Sequence, residues 1–222
     1  MESHIVKIKT VLQVTHDVKS FRIEKPNGYQ FVAGQATEVA INKPGWENER
    51  RPFTFTSLND EPTLEFTIKR YIGHNSVTNQ LHLLVPGDEL ILHDVWGAIE
   101  YKGPGYFIAG GAGITPFIAI LRQLHRDNQL AGNTLFFANK TAADVIYEEE
   151  FTSMMGKNAV YILSREQKDG YENGTINADY LRSHVTDFNK HFYVCGPDKM
   201  VADINASLTT LGAKPDLVVF EK

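Results

Sequence analysis

The hydrophobic period of this chain changes once, at the breaker cluster Lys102-Gly103-Pro104-Gly105. Before it, from Ile5 to about Leu92, apolar and polar residues alternate. Val6, Ile8 and Thr10 alternate with Lys7 and Lys9, and Leu64, Phe66 and Ile68 with Glu65, Thr67 and Lys69. A period of two puts each set on its own face of a strand. The turn signals Pro26-Asn27-Gly28, Lys43-Pro44-Gly45 and Val85-Pro86-Gly87-Asp88 cut this stretch into short strands. The expectation for residues 1–102 is an antiparallel β-barrel domain.

After the breakers, short apolar runs alternate with helical patterns. The runs are Tyr106 to Ala109, Thr134 to Ala138, Ala159 to Leu163, His191 to Cys195 and Leu217 to Phe220. Phe117, Ile120, Leu121 and Leu124 form one apolar helix face, and Met200, Val201, Ile204, Leu208 and Leu211 another. Residues 103–222 are therefore expected to form an α/β domain with a five-stranded parallel sheet. Glu148-Glu149-Glu150 is expected to be a solvated helix face.

Composition limits what two such domains can do. A net charge of −5 argues against a nucleic-acid partner. The uncharged stretch from Gly103 to Leu121 has membrane-span length, but its glycines and prolines mark a strand-to-helix loop, so no membrane insertion is expected. The N-terminus lacks an apolar leader pattern, and a cytoplasmic location is the expectation. With one cysteine, Cys195, this sequence cannot build a thiolate cluster for zinc or iron–sulfur. His74, His82 and His93 have no metal-ligand spacing, and no metal is expected.

The chemistry-bearing motifs are few. Gly110-Gly111-Ala112-Gly113-Ile114-Thr115-Pro116 lies between a strand and an amphipathic helix, with Thr115 an expected N-cap and Pro116 suited to the first helical position. Such a turn points free N–H groups at an anion, and it serves equally as a plain structural connection. It departs from the usual dinucleotide fingerprint at Pro116, and the next strand ends in Ala138-Asn139-Lys140 rather than an acid. In Arg51-Pro52-Phe53-Thr54, the arginine can grip a diphosphate, the aromatic can lie on a planar ring and the hydroxyl can hydrogen-bond it. An aromatic-rich strand opened by a surface arginine would read the same way.

Taken in order, Arg51-Pro52-Phe53-Thr54, Lys69-Arg70 with Gly73 to Thr78, Gly110 to Pro116, and Cys195-Gly196-Pro197 with Met200 resemble the motifs of the ferredoxin–NADP⁺ reductase superfamily. The resemblance covers essentially the whole chain. It implies an FAD-binding barrel followed by an NAD(P)-binding domain, with hydride passing from NAD(P)H to flavin and single electrons to flavodoxin or ferredoxin. By resemblance, Arg51, Pro52, Phe53 and Thr54 contact FAD, with Thr54 beside flavin N5 and Phe53 in place of the family's usual tyrosine. Ile68, Lys69 and Arg70 supply main-chain contacts. Asn75, Ser76, Val77 and Thr78 open a helix, running to about Leu84, that faces the diphosphate. Gly111, Gly113, Thr115 and Pro116 take the dinucleotide pyrophosphate, while Cys195, Gly196 and Pro197 lie beside the nicotinamide.

Thr54, Cys195 and Glu221 are the implied catalytic residues. Ser164, Arg165 and Tyr171 supply a hydroxyl, a cation and an aromatic, a set that suits a ribose 2′-phosphate and favours NADPH, with NADH possible. Arg50, Arg51, Lys69 and Arg70 are candidates for an acidic carrier protein. Two other readings stand beside this one: a direct NAD(P)H:flavin or quinone reductase, and a non-catalytic electron-transfer subunit.

Overall fold

A computed structural model of the chain describes residues 3–72, 76–97 and 99–220. The first half contains β1 (His4–Thr15), β2 (Val18–Glu24), β3 (Gln35–Ile41), β4 (Arg51–Thr54), β5 (Thr63–Lys69), α1 (Val77–Leu81) and β6 (Glu89–Gly97). These strands form an antiparallel, barrel-like sheet in the order β4-β3-β6-β1-β2-β5. A bridge between Phe55 and Phe66 brings the chain beyond β4 alongside β5.

The alternation explains the interior. Val6, Ile8, Leu64, Phe66 and Ile68 are all within 2% of full burial and share one cluster with Phe21, Phe55 and Leu90. The Phe31 and Phe55 rings stack at 4.2 Å inside it. The opposite face of β5 is covered as well: Glu65 and Thr67 are each 4% exposed, because Arg122 and Tyr147 of the second half lie against them.

The second half contains β7 (Gly105–Gly110), α2 (Thr115–Arg126), β8 (Thr134–Asn139), α3 (Glu148–Met155), β9 (Ala159–Leu163), β10 (Glu172–Asn173), α4 (Ala178–His184), β11 (His191–Cys195), α5 (Asp198–Thr210) and β12 (Val218–Phe220). Its parallel sheet has the order β10-β9-β8-β7-β11-β12. The five expected strands are present, and a sixth, β10, adds two residues at the edge against Ile162 and Leu163. Having no apolar run, β10 left no trace in the hydrophobic pattern.

Every residue of β7 is buried, as a central parallel strand requires. Phe107 and Ala109 face a cluster containing Phe117, Leu121 and Phe151, whereas Tyr106 and Ile108 face one containing Leu181, Ile204 and Leu208. Burial of side chains such as Phe117 and Leu121 is worth about 1.5–3 kcal/mol each, which is what holds α2 on the sheet. Between the halves, Tyr193 Oη donates to the Gly103 carbonyl at 2.7 Å and accepts from the Lys102 and Gly103 amides. A side chain at Gly105 would collide with the His191 carbonyl, its Cβ only 2.0 Å from that oxygen.

Three local expectations are corrected. Gly111–Ile114 form a turn of 3₁₀ helix, so α2 starts behind Ile114; the Thr115 hydroxyl donates back to the Ala112 carbonyl at 3.0 Å instead of capping. The helix at Val77 stops at Leu81, and only turns continue to Leu84. In Glu148-Glu149-Glu150 only Glu149 is exposed, since Glu148 and Glu150 bond to Tyr171 and Arg122.

Candidate functional site

The sheet order has a direct geometric consequence. The chain runs outward from β7 through β8, β9 and β10, then returns to place β11 on the other side of β7. Such a reversal opens a crevice beyond the carboxyl ends of the two central strands, the usual place for a ligand in open α/β sheets. Here those ends are Gly110 and Cys195, with Ala109 and Cys195 in register.

A cleft of about 1210 Å³ lies at that point. Gly111, Gly113, Thr115, Ser164, Cys195, Gly196 and Pro197 line it, joined by Lys69 and Tyr71 from the end of β5. The floor is close-packed backbone: a Cβ on Gly113 would sit 2.3 Å from the Cys195 carbonyl oxygen. Gly111, by contrast, has φ +53° and open space where its Cβ would be, so its backbone is bare toward a ligand.

Asn139 was not among the expected site residues. It ends β8 and lines the cleft at 8% exposure, and neither its amide nitrogen nor its amide oxygen has a partner. A buried amide without partners costs about 1–3 kcal/mol unless a ligand or water supplies them. Its backbone carbonyl accepts from the Ser164 amide at 3.0 Å, and the Lys140 backbone carbonyl accepts from the Arg165 amide at 2.9 Å. Lys140 and Ser164 both face the cleft. A polar residue closing the apolar run Thr134 to Ala138 was the sequence signal for this position.

Other expected residues lie outside the cleft lining. Pro116 is buried at the start of α2. Arg165 is exposed, while the Tyr171 hydroxyl donates to Glu148 Oε1 and its ring packs on the core beneath α3. In the barrel half, Arg51 and Pro52 are exposed on β4, Phe53 is half-buried and Thr54 is buried. Arg51 Nη1 donates to the Arg50 carbonyl at 2.6 Å, and Nη2 makes a long, exposed ion pair with Glu49 at 3.7 Å. The Phe53 ring lies 6.4 Å from that of Phe66 and packs against the barrel core.

Ile68 is buried, and its carbonyl accepts from His82 Nε2 at 2.8 Å. Lys69 pairs with Asp17 at 2.9 Å, and the buried Nε of Arg70 has no partner. Ser76 caps α1 by accepting from the Asn79 amide, and its hydroxyl donates to the Tyr71 carbonyl at 2.7 Å. Thr78 Oγ1 accepts from the Tyr71 amide, while Val77 is buried in the barrel core. Asn75, His74 and Glu221 lie outside the described residues.

His16, Asp17 and Asp144 bring their ligand atoms within 4.8 Å of one another at the junction of the halves, but the Lys69 ammonium already occupies Asp17. His82 and His93 are buried, and burial holds both below the ordinary histidine range. Among the described residues no helix is long and apolar enough to cross a membrane.

Comparison with known proteins agrees with this geometry. Residues 107–206 match the family model described as the oxidoreductase NAD-binding domain. The chain is 26% identical to NADH-cytochrome b5 reductase 2 of Mycosarcoma maydis, over 95% of this chain and 66% of that protein. It is 26% identical to the reductase component of propane 2-monooxygenase of Rhodococcus jostii, over 97% of this chain and 62% of that protein. It thus spans less than two thirds of these two curated relatives. The crystal structure of a ferredoxin NADP⁺ reductase from Neisseria gonorrhoeae with bound FAD and NADP superposes with a TM-score of 0.86, covering 100% of this chain and 98% of that one at 19% identity. Barrel-like sheet and switch-point cleft thus give the chain the two-domain fold of that reductase, and residues 107–206 match the oxidoreductase NAD-binding domain.

Proposed function

We propose that this chain is a cytoplasmic FAD-dependent NAD(P)H oxidoreductase that delivers single electrons to a carrier protein, flavodoxin or ferredoxin. Residues 1–102 would hold FAD and residues 103–222 the nicotinamide dinucleotide. The observation that carries this reading is the switch-point cleft, walled on one side by the glycine turn and Cys195-Gly196-Pro197 and on the other by Lys69 and Tyr71 of the barrel half. Its volume, about 1210 Å³, exceeds the range of about 300–1,000 Å³ typical of small-ligand sites and suits a dinucleotide.

The residues present fit both groups. The buried, unpartnered amide of Asn139 and the bare backbone of Gly111 are suited to the dinucleotide. The exposed guanidinium of Arg51, the half-exposed ring of Phe53 and the exposed Tyr71 offer a cation and aromatic surface for FAD. FAD, when bound, supplies a hydride acceptor able to release electrons singly, so no side-chain nucleophile is required. Thr54 would orient the ring, Cys195 and Glu221 would shape the nicotinamide pocket, and closure of the cleft would exclude water.

Lys140, Ser164 and Arg165 support a preference for NADPH, with NADH also accepted; Tyr171, committed to Glu148, would contribute through its backbone. The names of the relatives, a cytochrome b5 reductase and a monooxygenase reductase component, support a protein as the acceptor.

The test is the visible spectrum of the FAD-loaded chain during anaerobic titration with NADPH and then NADH, followed by stopped-flow mixing with flavodoxin, ferredoxin, free flavin and quinone. Flavin bleaching with faster NADPH reduction and transfer to a carrier protein is expected. A chain that takes up no FAD overturns the proposal, and transfer only to free flavin or quinone overturns the choice of acceptor.

A further inference from the structure

One side chain joins the two halves more closely than any motif residue. Arg122, on the face of α2 turned toward the barrel, is 18% exposed, and its guanidinium reaches α3, β5 and the segment that follows β4. Nε and Nη2 donate to the two carboxylate oxygens of Glu150 on α3, at 2.6 and 2.9 Å. Nη1 crosses to the barrel half and donates to the Thr56 carbonyl at 2.6 Å and to Glu65 Oε1 at 2.8 Å.

The acceptors are themselves fixed. Glu65, on the buried outer face of β5, also accepts from Arg22 at 3.1 Å and from the Thr56 hydroxyl at 2.9 Å. Burial alone would raise its carboxyl, yet Arg122 and Arg22 hold it below the ordinary range. The Arg122 guanidinium carbon lies 5.1 Å from the Tyr147 ring centre, and the Tyr147 hydroxyl lies 3.3 Å from that of Thr67. Tyr147 takes up the left-handed conformation at φ 53°, which costs a non-glycine residue about 1–2 kcal/mol and persists where its surroundings impose it.

The anchor points lead to both sides of the cleft. Thr56 follows Thr54 by two positions, Glu65 is on the strand that ends at the cleft-lining Lys69, and α2 begins at the cleft-lining Thr115. We propose that Arg122 is a positioning residue, fixing the barrel half against the nucleotide half so that the two ligands meet at reacting distance. This rests on the oxidoreductase reading above. An arginine is needed because four donors in one plane must serve a bidentate carboxylate and two barrel acceptors together, which a lysine cannot do.

The test compares wild type, Arg122→Gln, Arg122→Lys and Glu150→Gln, with Arg126→Gln as control because Arg126 makes the exposed cross-half pair with Asp60. Three quantities are measured on the FAD-supplied full chain: amide hydrogen exchange, the anaerobic flavin reduction rate at saturating NADPH, and the NADPH dissociation constant. Since a misplacement of about 1 Å costs on the order of 100-fold in rate, Arg122→Gln is expected to slow reduction by about 10- to 100-fold while NADPH affinity changes less than about threefold. Exchange should rise in residues 63–69 and 148–155 but not in β1 and β2. Arg122→Lys should recover part of the rate, and Arg126→Gln should match wild type.

If Arg122→Gln does not fold, Glu150→Gln, which leaves Glu65 paired, should give the same split between rate and affinity. Unchanged rate and exchange in a folded Arg122 or Glu150 variant overturns the proposal, as does a rate loss matched by an equal loss of NADPH affinity. Wild-type flavin that neither nucleotide reduces overturns the underlying reading, while the exchange difference still reports on the clamp.

Discussion

Gly113→Ala adds a single methyl group where the cleft floor has least room. Its Cβ would lie 2.3 Å from the Cys195 carbonyl oxygen, 2.5 Å from the carbon and 2.6 Å from the Gly196 nitrogen. All three are backbone atoms at the end of β11, so no side-chain rotation relieves the contact. Ordinary contact begins near 3.4 Å, and the glycine turn must therefore part from β11 by about 1 Å. Overpacking of this kind costs about 1–3 kcal/mol, and at about 2–4 °C per kcal/mol for a chain of this size the melting temperature should fall by roughly 2–12 °C.

Gly110→Ala is the internal comparison. Its Cβ would meet Met200 Sδ at 2.4 Å and Pro197 Cδ at 3.0 Å, and the methionine tip can swing aside. Thermal unfolding followed by circular dichroism ranks the variants, and calorimetric titration with NADPH reads the floor directly. Gly113→Ala should be the less stable and should bind the nucleotide more weakly, because Cys195 and Gly196 are displaced with the turn. A Gly113→Ala chain that melts with wild type, or above Gly110→Ala, would refute the close-packed floor.

Asn139→Leu should have opposite effects on stability and binding. Removing a buried amide without partners should raise the melting temperature of the ligand-free chain, while NADPH affinity falls about 5- to 10-fold; a lower melting temperature with unchanged affinity would show that the amide serves the fold. Ser164→Asp places a carboxylate where a 2′-phosphate is expected, and the kcat/KM ratio for NADPH over NADH should fall at least about tenfold; an unchanged ratio would move that subsite elsewhere. Burial holds His82 below its usual 6.5, so the unfolded chain binds more protons than the folded one as pH falls through that value, and stability falls with it. His82→Gln should flatten the urea midpoint between about pH 7 and 5, and an equally steep slope in the variant would assign the effect to other groups.

What the sequence made legible divides along a physical line. An apolar residue in a period-two strand states where it goes, and Leu64, Phe66 and Ile68 went to the barrel interior. Glu65, Thr67 and Lys69 state only that they avoid that interior; whether water or protein covers them depends on α2, whose Arg122 arrives 57 residues after Glu65. The same ambiguity hid Glu148 and Glu150, which read as a solvated run until Tyr171 and Arg122 are brought against them. The glycine turn and Cys195-Gly196-Pro197 were each visible as motifs, but their contact follows from the placement of β11 beside β7, which strand order alone decides. Asn139 was visible only as a missing acid, because an amide's lack of partners is a property of its surroundings. Polar residues on a strand's outer face therefore carry the information about how the halves meet. A charge buried there must be paired and hydrogen-bonded to be tolerated, so it tolerates fewer arrangements than an apolar contact of equal area. That restriction makes the Arg122–Glu65 contact, rather than the apolar packing around it, the feature suited to fixing one orientation of two otherwise separate cores.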